Sequence, residues 1–269
     1  MTYRDNVLVT APALEAELAG PRPPLLLDVR WALGQTDGHA RYLAGHLPGA
    51  VYVDLETELA DPPTPRDGRH PLPSDLQSSA RRWGVTADRP VVAYDAVGGM
   101  SAARAWWLLR WAGLLDIRLL DGGLGAWTGE LEPGEVTPEP SDVVLTAGRL
   151  PTIDADEAAA WTGSLLDARA AERFRGEVEP VDPQAGHIPG ALSFPTAWLL
   201  EADGTFLRTE ALRERFASAR GPVAVYCGSG VTAAHEVAAL ATIGVEAALY
   251  PGSWSQWSND PARPVATGA

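Results

Sequence analysis

The chain has 269 residues, 46% of them hydrophobic, which permits one large domain or two of ordinary size and excludes wholesale disorder. A formal charge of −14 argues against nucleic-acid and anionic-membrane partners. The single cysteine excludes an internal disulfide, a cysteine-rich zinc site and a resolving second thiol. It also fits a reducing cytoplasm, as does Met1-Thr-Tyr-Arg-Asp5, which lacks the apolar run of a signal peptide.

In chain order, Val7 to Val9 reads as a brief strand, and Thr10 as the cap of a helix over Ala13 to Leu18. Leu25-Leu-Leu-Asp-Val-Arg30 reads as a buried strand ending in charge. Next come Ala44-Gly-His-Leu-Pro-Gly-Ala50 and Val51-Tyr-Val-Asp54. The proline-rich loop Asp61 to Pro73 carries Arg69 and His70. Ser74 is expected to cap a helix reaching about Trp83. Val91-Val-Ala-Tyr-Asp95 is a further buried strand, followed by Gly98-Gly99 and a helix over Ser101 to Ala112. Leu119 to Gly123 closes this half.

The same order then recurs. Leu165-Leu-Asp-Ala-Arg169 echoes Leu26-Leu-Asp-Val-Arg30, and Ala185-Gly-His-Ile-Pro-Gly-Ala191 echoes residues 44–50. Thr209 to Ala219 repeats the Ser74 helix, Val223-Ala-Val-Tyr-Cys227 repeats Val91 to Asp95, and Leu249 to Trp254 repeats Leu120 to Trp127. Matches in one order indicate two copies of one α/β domain, each a mostly parallel sheet flanked by helices. The expected division is 1–128, a Pro-, Gly- and Glu-rich linker over 129–145, and 146–269.

The chemistry falls at one strand end. Val223 to Tyr226 delivers Cys227 onto a loop, Gly228-Ser-Gly-Val-Thr232, ahead of an alanine-rich helix that Gly244 stops. A glycine loop feeding a helix N-terminus presents N–H groups and a positive dipole end, both favouring negative charge at the sulfur. The first copy has Asp95 at that position, so one active site per chain is expected. His46 and His187 occur in both copies and are therefore read as structural. Gly228-x-Gly230-x-x-Ala233 also fits a loose dinucleotide fingerprint, but too few residues follow it for the further βα units. A cysteine phosphatase would need an arginine at position 233, which is alanine, and a papain-like protease would carry its cysteine near the mature N-terminus.

On these motifs the chain resembles the two-domain rhodanese-like sulfurtransferases over roughly residues 5 to 258. The resemblance implies an inactive first domain and a second domain whose Cys227 takes a sulfane sulfur, becomes a persulfide and passes the sulfur to cyanide, a thiol or a protein acceptor. Thiosulfate-type members carry basic residues just after the cysteine. Here Gly228 and Ser229 are neutral, and the loop looks like the 3-mercaptopyruvate type. In that type the resemblance assigns proton handling to Ser229 with His70 and Asp54. It assigns the donor's carboxylate to Arg173, and the persulfide to the loop Gly228, Gly230, Val231 and Thr232. Arg175 is read as structural. The family's second carboxylate-binding arginine is absent after Glu179-Pro180, leaving Gln184 as a replacement donor. A thiosulfate donor, and a sulfur carrier without turnover, are the alternative readings. Trp254 or Trp257 is a candidate for the pocket mouth. No metal or organic cofactor is implied; a monomer that meets a small-molecule sulfur donor and a thiol or cyanide acceptor, and no nucleic acid or membrane, is expected.

Overall fold

A computed structural model describes residues 2–269. The first sheet contains β1 (Leu8–Val9), β2 (Leu25–Asp28), β3 (Val51–Tyr52), β4 (Val91–Tyr94) and β5 (Ile117–Leu120), in the order β1-β5-β4-β2-β3. The second contains β6 (Ser164–Asp167), β7 (Leu192–Ser193), β8 (Val223–Tyr226) and β9 (Ala247–Leu249), in the order β7-β6-β8-β9. All these pairs are parallel. A single bridge from Thr152 to Leu249 stands where β1 lies in the first sheet. The registers coincide as well, with Asp28 beside Tyr94 and Asp167 beside Tyr226.

The repeated motifs have a shared physical reason. Asp28, fully buried at the end of β2, takes two hydrogen bonds from Arg30, and that guanidinium also reaches the Gly45 carbonyl. Asp167 and Arg169 repeat the pair, with Arg169 reaching Gly186. A buried carboxylate needs a charged partner. The arginine in turn pins the Gly-His turn against the strand end. His46 and His187 are buried in those turns, stacked on Tyr42 and Phe174 and bonded to backbone carbonyls. The expectation that they are structural agrees with this.

Helices Ala102–Trp111 and Val231–Thr242 follow β4 and β8 and pack on each other, so the halves meet along them. One apolar cluster runs through both halves and includes Leu27, Trp107, Leu166 and Val237. Residues 129–145 hold no regular helix or strand, yet they are bound to the first half. Glu132 pairs with the His46 backbone, Gly134 bonds Leu43 and Ser141 bonds Arg81. The Ser74 helix starts later than expected, at Leu76, because the Asp75 carboxylate caps it while Ser74 donates to Asp61. Among the described residues no helix is long and apolar enough to cross a membrane.

Candidate active site

Strand β8 ends at Tyr226, and the next residue, Cys227, is 1% exposed. The loop turns sharply at Gly230, whose φ of +77° is open to glycine and strained for other residues. A Cβ there would also lie 2.6 Å from the Pro251 carbonyl. The turn brings the Gly230 N–H to 3.1 Å from Cys227 Sγ. The 12-residue helix Val231–Thr242 then starts beside the sulfur, its first N–H groups having no partner one turn back. Cys227 is held from the other side by Ser253, whose Oγ accepts from the Cys227 N–H at 3.1 Å. Ser253 sits at φ +53°, the one non-glycine in that region among the described residues.

A second source of positive charge comes from the first half. Arg104 lies in the apolar helix Ala102–Trp111 and is fully buried. It has no ion-pair carboxylate among the described residues. Its guanidinium donates to the carbonyls of Leu59, His70, Pro71 and, at 3.4 Å, Gly230. Burial pushes its pKa down to about 10, partly opposed by negative charge on Cys227, so it stays protonated at neutral pH. Arg104 therefore ties the His70 loop to the cysteine loop and brings a buried positive charge to their junction. The signal in the sequence was one arginine inside Ala102-Ala-Arg-Ala-Trp106.

His70 and Ser229 come together across the halves: His70 Nδ1 lies 2.7 Å from Ser229 Oγ. His70 Nε2 lies 3.2 Å from the carboxylate of Glu56, which also accepts from the Trp31 indole at 2.7 Å. A carboxylate only accepts, so Nε2 carries the hydrogen and Nδ1 accepts from the serine hydroxyl. Burial, reinforced by Arg104 and Arg69, pushes His70 down from 6.5 to about 4 against the pull of Glu56. Asp54 does not join this chain of groups. Its carboxylate caps the short helix Leu55–Glu58, accepting from the Glu56 and Thr57 N–H groups. Glu56, two residues further on, takes the place expected for Asp54.

Cys227, Gly228, Ser229, Val231 and Thr232 line a pocket of about 410 Å³ that also contains Arg69 and Arg173. Arg173 is held by Glu179 at 2.6 Å and Asp182 at 3.2 Å. Gln184 does not face the pocket: its amide donates to the Ser258 carbonyl at 2.7 Å. Arg175 pairs with Glu177 at the surface and does not line the pocket. Trp254 and Trp257 are buried, stacked under Arg169 and Arg263, and the tryptophans at the mouth are Trp31 and Trp198. In the first half the matching loop is closed. Asp95 is fully buried, and its carboxylate accepts from the N–H groups of Val97, Gly99, Ser101 and Ala102 at 2.7–2.8 Å.

Residues 10–130 and 153–260 each match the rhodanese-like domain. The chain belongs to the rhodanese family. A Mycobacterium tuberculosis relative named "Putative thiosulfate sulfurtransferase SseB" is 51% identical, with 100% of this chain and 99% of the relative covered. The 3-mercaptopyruvate sulfurtransferase of Escherichia coli K12 is 37% identical over 89% of this chain and 91% of that one. The crystal structure of SseA from E. coli, a 3-mercaptopyruvate sulfurtransferase, superposes with a TM-score of 0.80 at 35% identity, over 94% of this chain and 99% of that one. The rhodanese chain described here is a sulfurtransferase with two parallel-sheet domains.

Proposed function

We propose that this rhodanese moves sulfur from 3-mercaptopyruvate through a persulfide on Cys227 to cyanide or a thiol. The observation carrying this reading is the 2.7 Å contact of His70 Nδ1 with Ser229 Oγ beside a cysteine loop that has no basic side chain of its own. The Cys227 thiolate attacks the donor sulfur, the S–S bond forms and the C–S bond breaks. The bonding electrons leave on the pyruvate enolate, which takes a proton at carbon, while the new persulfide gives up the proton it inherited from the donor thiol. A proton relay is therefore needed, and Ser229 backed by His70 and Glu56 has the geometry for one. The persulfide anion meets the Gly230 N–H and the first N–H groups of the following helix. Arg173 takes the donor carboxylate through its guanidinium. The site is complete within one chain, in keeping with a monomer, and a lone unpaired thiol suits a reducing cytoplasm.

A thiosulfate donor is the second reading, favoured by the name of the 51% identical relative. Turnover with each donor, using cyanide as acceptor, tests the two together. A higher kcat/KM for mercaptopyruvate upholds the first reading, and a higher value for thiosulfate replaces it with the second. Turnover with neither leaves only the sulfur carrier.

Arg173→Ala is expected to raise KM for mercaptopyruvate, costing about 2 kcal/mol in kcat/KM. An unchanged KM would return Arg173 to a purely structural role in its cluster with Glu179 and Asp182.

The pH profile is a further check. His70 folds with a value near 4, below its ordinary 6.5. The unfolded chain thus binds the extra proton between those values. Stability from the neutral ring is fully present above pH 6.5 and is lost as the pH falls toward 4. Over the same range His70 remains able to accept a proton, so kcat/KM should show no inflection near pH 6.5. An inflection there that vanishes in His70→Asn would contradict a neutral His70.

A further inference from the structure

By sequence the loop after Cys227 is neutral, but in space it is not. Arg69, on the Asp61–Pro73 loop of the first half, lies across it. A Cβ on Gly228 would be 2.7 Å from Arg69 Nη2 and 3.6 Å from Arg173 Nη1. Gly228 is therefore the residue whose missing side chain makes room for one guanidinium and leaves a second close by. The two arginines are bound to the same carboxylate: Asp182 takes Nε and Nη2 of Arg69 at 3.1 and 3.2 Å and Nη2 of Arg173 at 3.2 Å. The Asp182 side chain is only 2% exposed, so the pair is anchored rather than free in solvent. The Arg69 backbone is fixed too, its N–H donating to Ser255 Oγ at 3.0 Å. Among the described residues the Nη1 groups of both arginines make no hydrogen bond, and both side chains line the pocket that holds Cys227.

Two guanidinium groups with uncommitted N–H edges, set side by side over a backbone that lacks a Cβ, form an anion site. We propose that Arg69 is a donor-binding residue. With Arg173 it takes the anionic end of the sulfur donor, a carboxylate or a sulfonate-like group, in a site that spans the joint between the two halves. This rests on the reading that small anionic donors load Cys227, and it adds a cation that the first half supplies to chemistry performed in the second. The competing role for Arg69 is that of an interdomain ion pair with Asp182, which would hold the halves together without touching the donor.

Alkylation of Cys227 separates these roles, because it is the only cysteine and the thiolate displaces iodide alike from iodoacetate and iodoacetamide. The two reagents differ in the carboxylate. Their rate ratio reports the anion site, while any general loosening or change in thiol reactivity cancels. In Arg69→Gln the iodoacetate-to-iodoacetamide ratio is expected to fall about tenfold, the lower end for one charged hydrogen bond, with Arg69→Lys in between. Arg173→Gln should lower it similarly. A ratio unmoved in Arg69→Gln but lowered in Arg173→Gln overturns the proposal and leaves the ion-pair role. A ratio unmoved in both variants shows that the reading of Arg173 has failed as well. Steady-state KM values identify the anion. A rise for mercaptopyruvate in Arg69→Gln assigns the site to a carboxylate, and a rise for thiosulfate alone assigns it to a sulfonate-like group. KM unmoved for both donors also overturns the proposal.

Discussion

Cys227→Ser is expected to abolish sulfur transfer with every donor, by at least about 10⁴-fold in kcat, the scale seen when an enzyme loses its covalent nucleophile. The replacement is almost the same size, and the site is 1% exposed, so the fold should survive the change. A hydroxyl at the end of β8 would still meet the Gly230 N–H, and Arg104 would still hold the Gly230 carbonyl of the loop. What is lost is the ability to ionise and to hold a second sulfur. Intact-mass measurement after donor treatment reads this directly: wild type should gain one sulfur atom and the variant none. Residual turnover with normal folding would mean that the transferred sulfur never rests on Cys227. Because the chain has no second thiol, no neighbouring cysteine could substitute for it and blur the result.

Much of this site was legible because its key residues carry local signals. A cysteine set between a four-residue apolar strand and a glycine loop can be read without knowing the fold, and so can the Asp-x-Arg strand ends. Ser229 and His70 were placed by resemblance, and the geometry brings them within 2.7 Å. The errors have physical causes. Asp54 lies next to a helix start, and a carboxylate there is drawn to the free N–H groups of the first turn. It is spent as a cap, which leaves the exposed Glu56 to reach His70. Sequence gives no direction to a side chain, so Gln184 reads there as an available donor, whereas in the fold it turns to the Ser258 carbonyl. Arg69 and Arg104 were missed for a different reason. Both act across the joint between the halves, and a contact over 100 residues apart leaves no spacing to read. Arg104 at least stands out as a charge in an apolar helix. Arg69 sits in a loop where an arginine is unremarked.

The largest stability change is expected from Asp95→Ala in the half without a cysteine. Asp95 occupies the same strand-end position as Cys227, and its carboxylate accepts four backbone N–H bonds, two on each oxygen. Burial pushes this carboxyl up, and the four donors oppose that pull. Alanine would leave four donors unpaired, three of them buried. At about 1 kcal/mol or more each, the loss should reach about 4 kcal/mol, in the range reserved for broken buried networks. For a chain of this size that lowers the melting temperature by roughly 10 °C. Asp95→Asn should cost less, since its carbonyl oxygen can keep one pair of donors while its amide opposes the other. Alanine and asparagine melting alike, near wild type, would show that the four bonds contribute little. Asp95 does not line the pocket, so kcat of the folded fraction should be retained. Both copies build a loop that turns N–H groups inward at a strand end. In the first copy the chain's own carboxylate fills that cradle permanently, and its donors hold the fold together. In the second the cradle is left to a sulfur that can pick up and release a cargo.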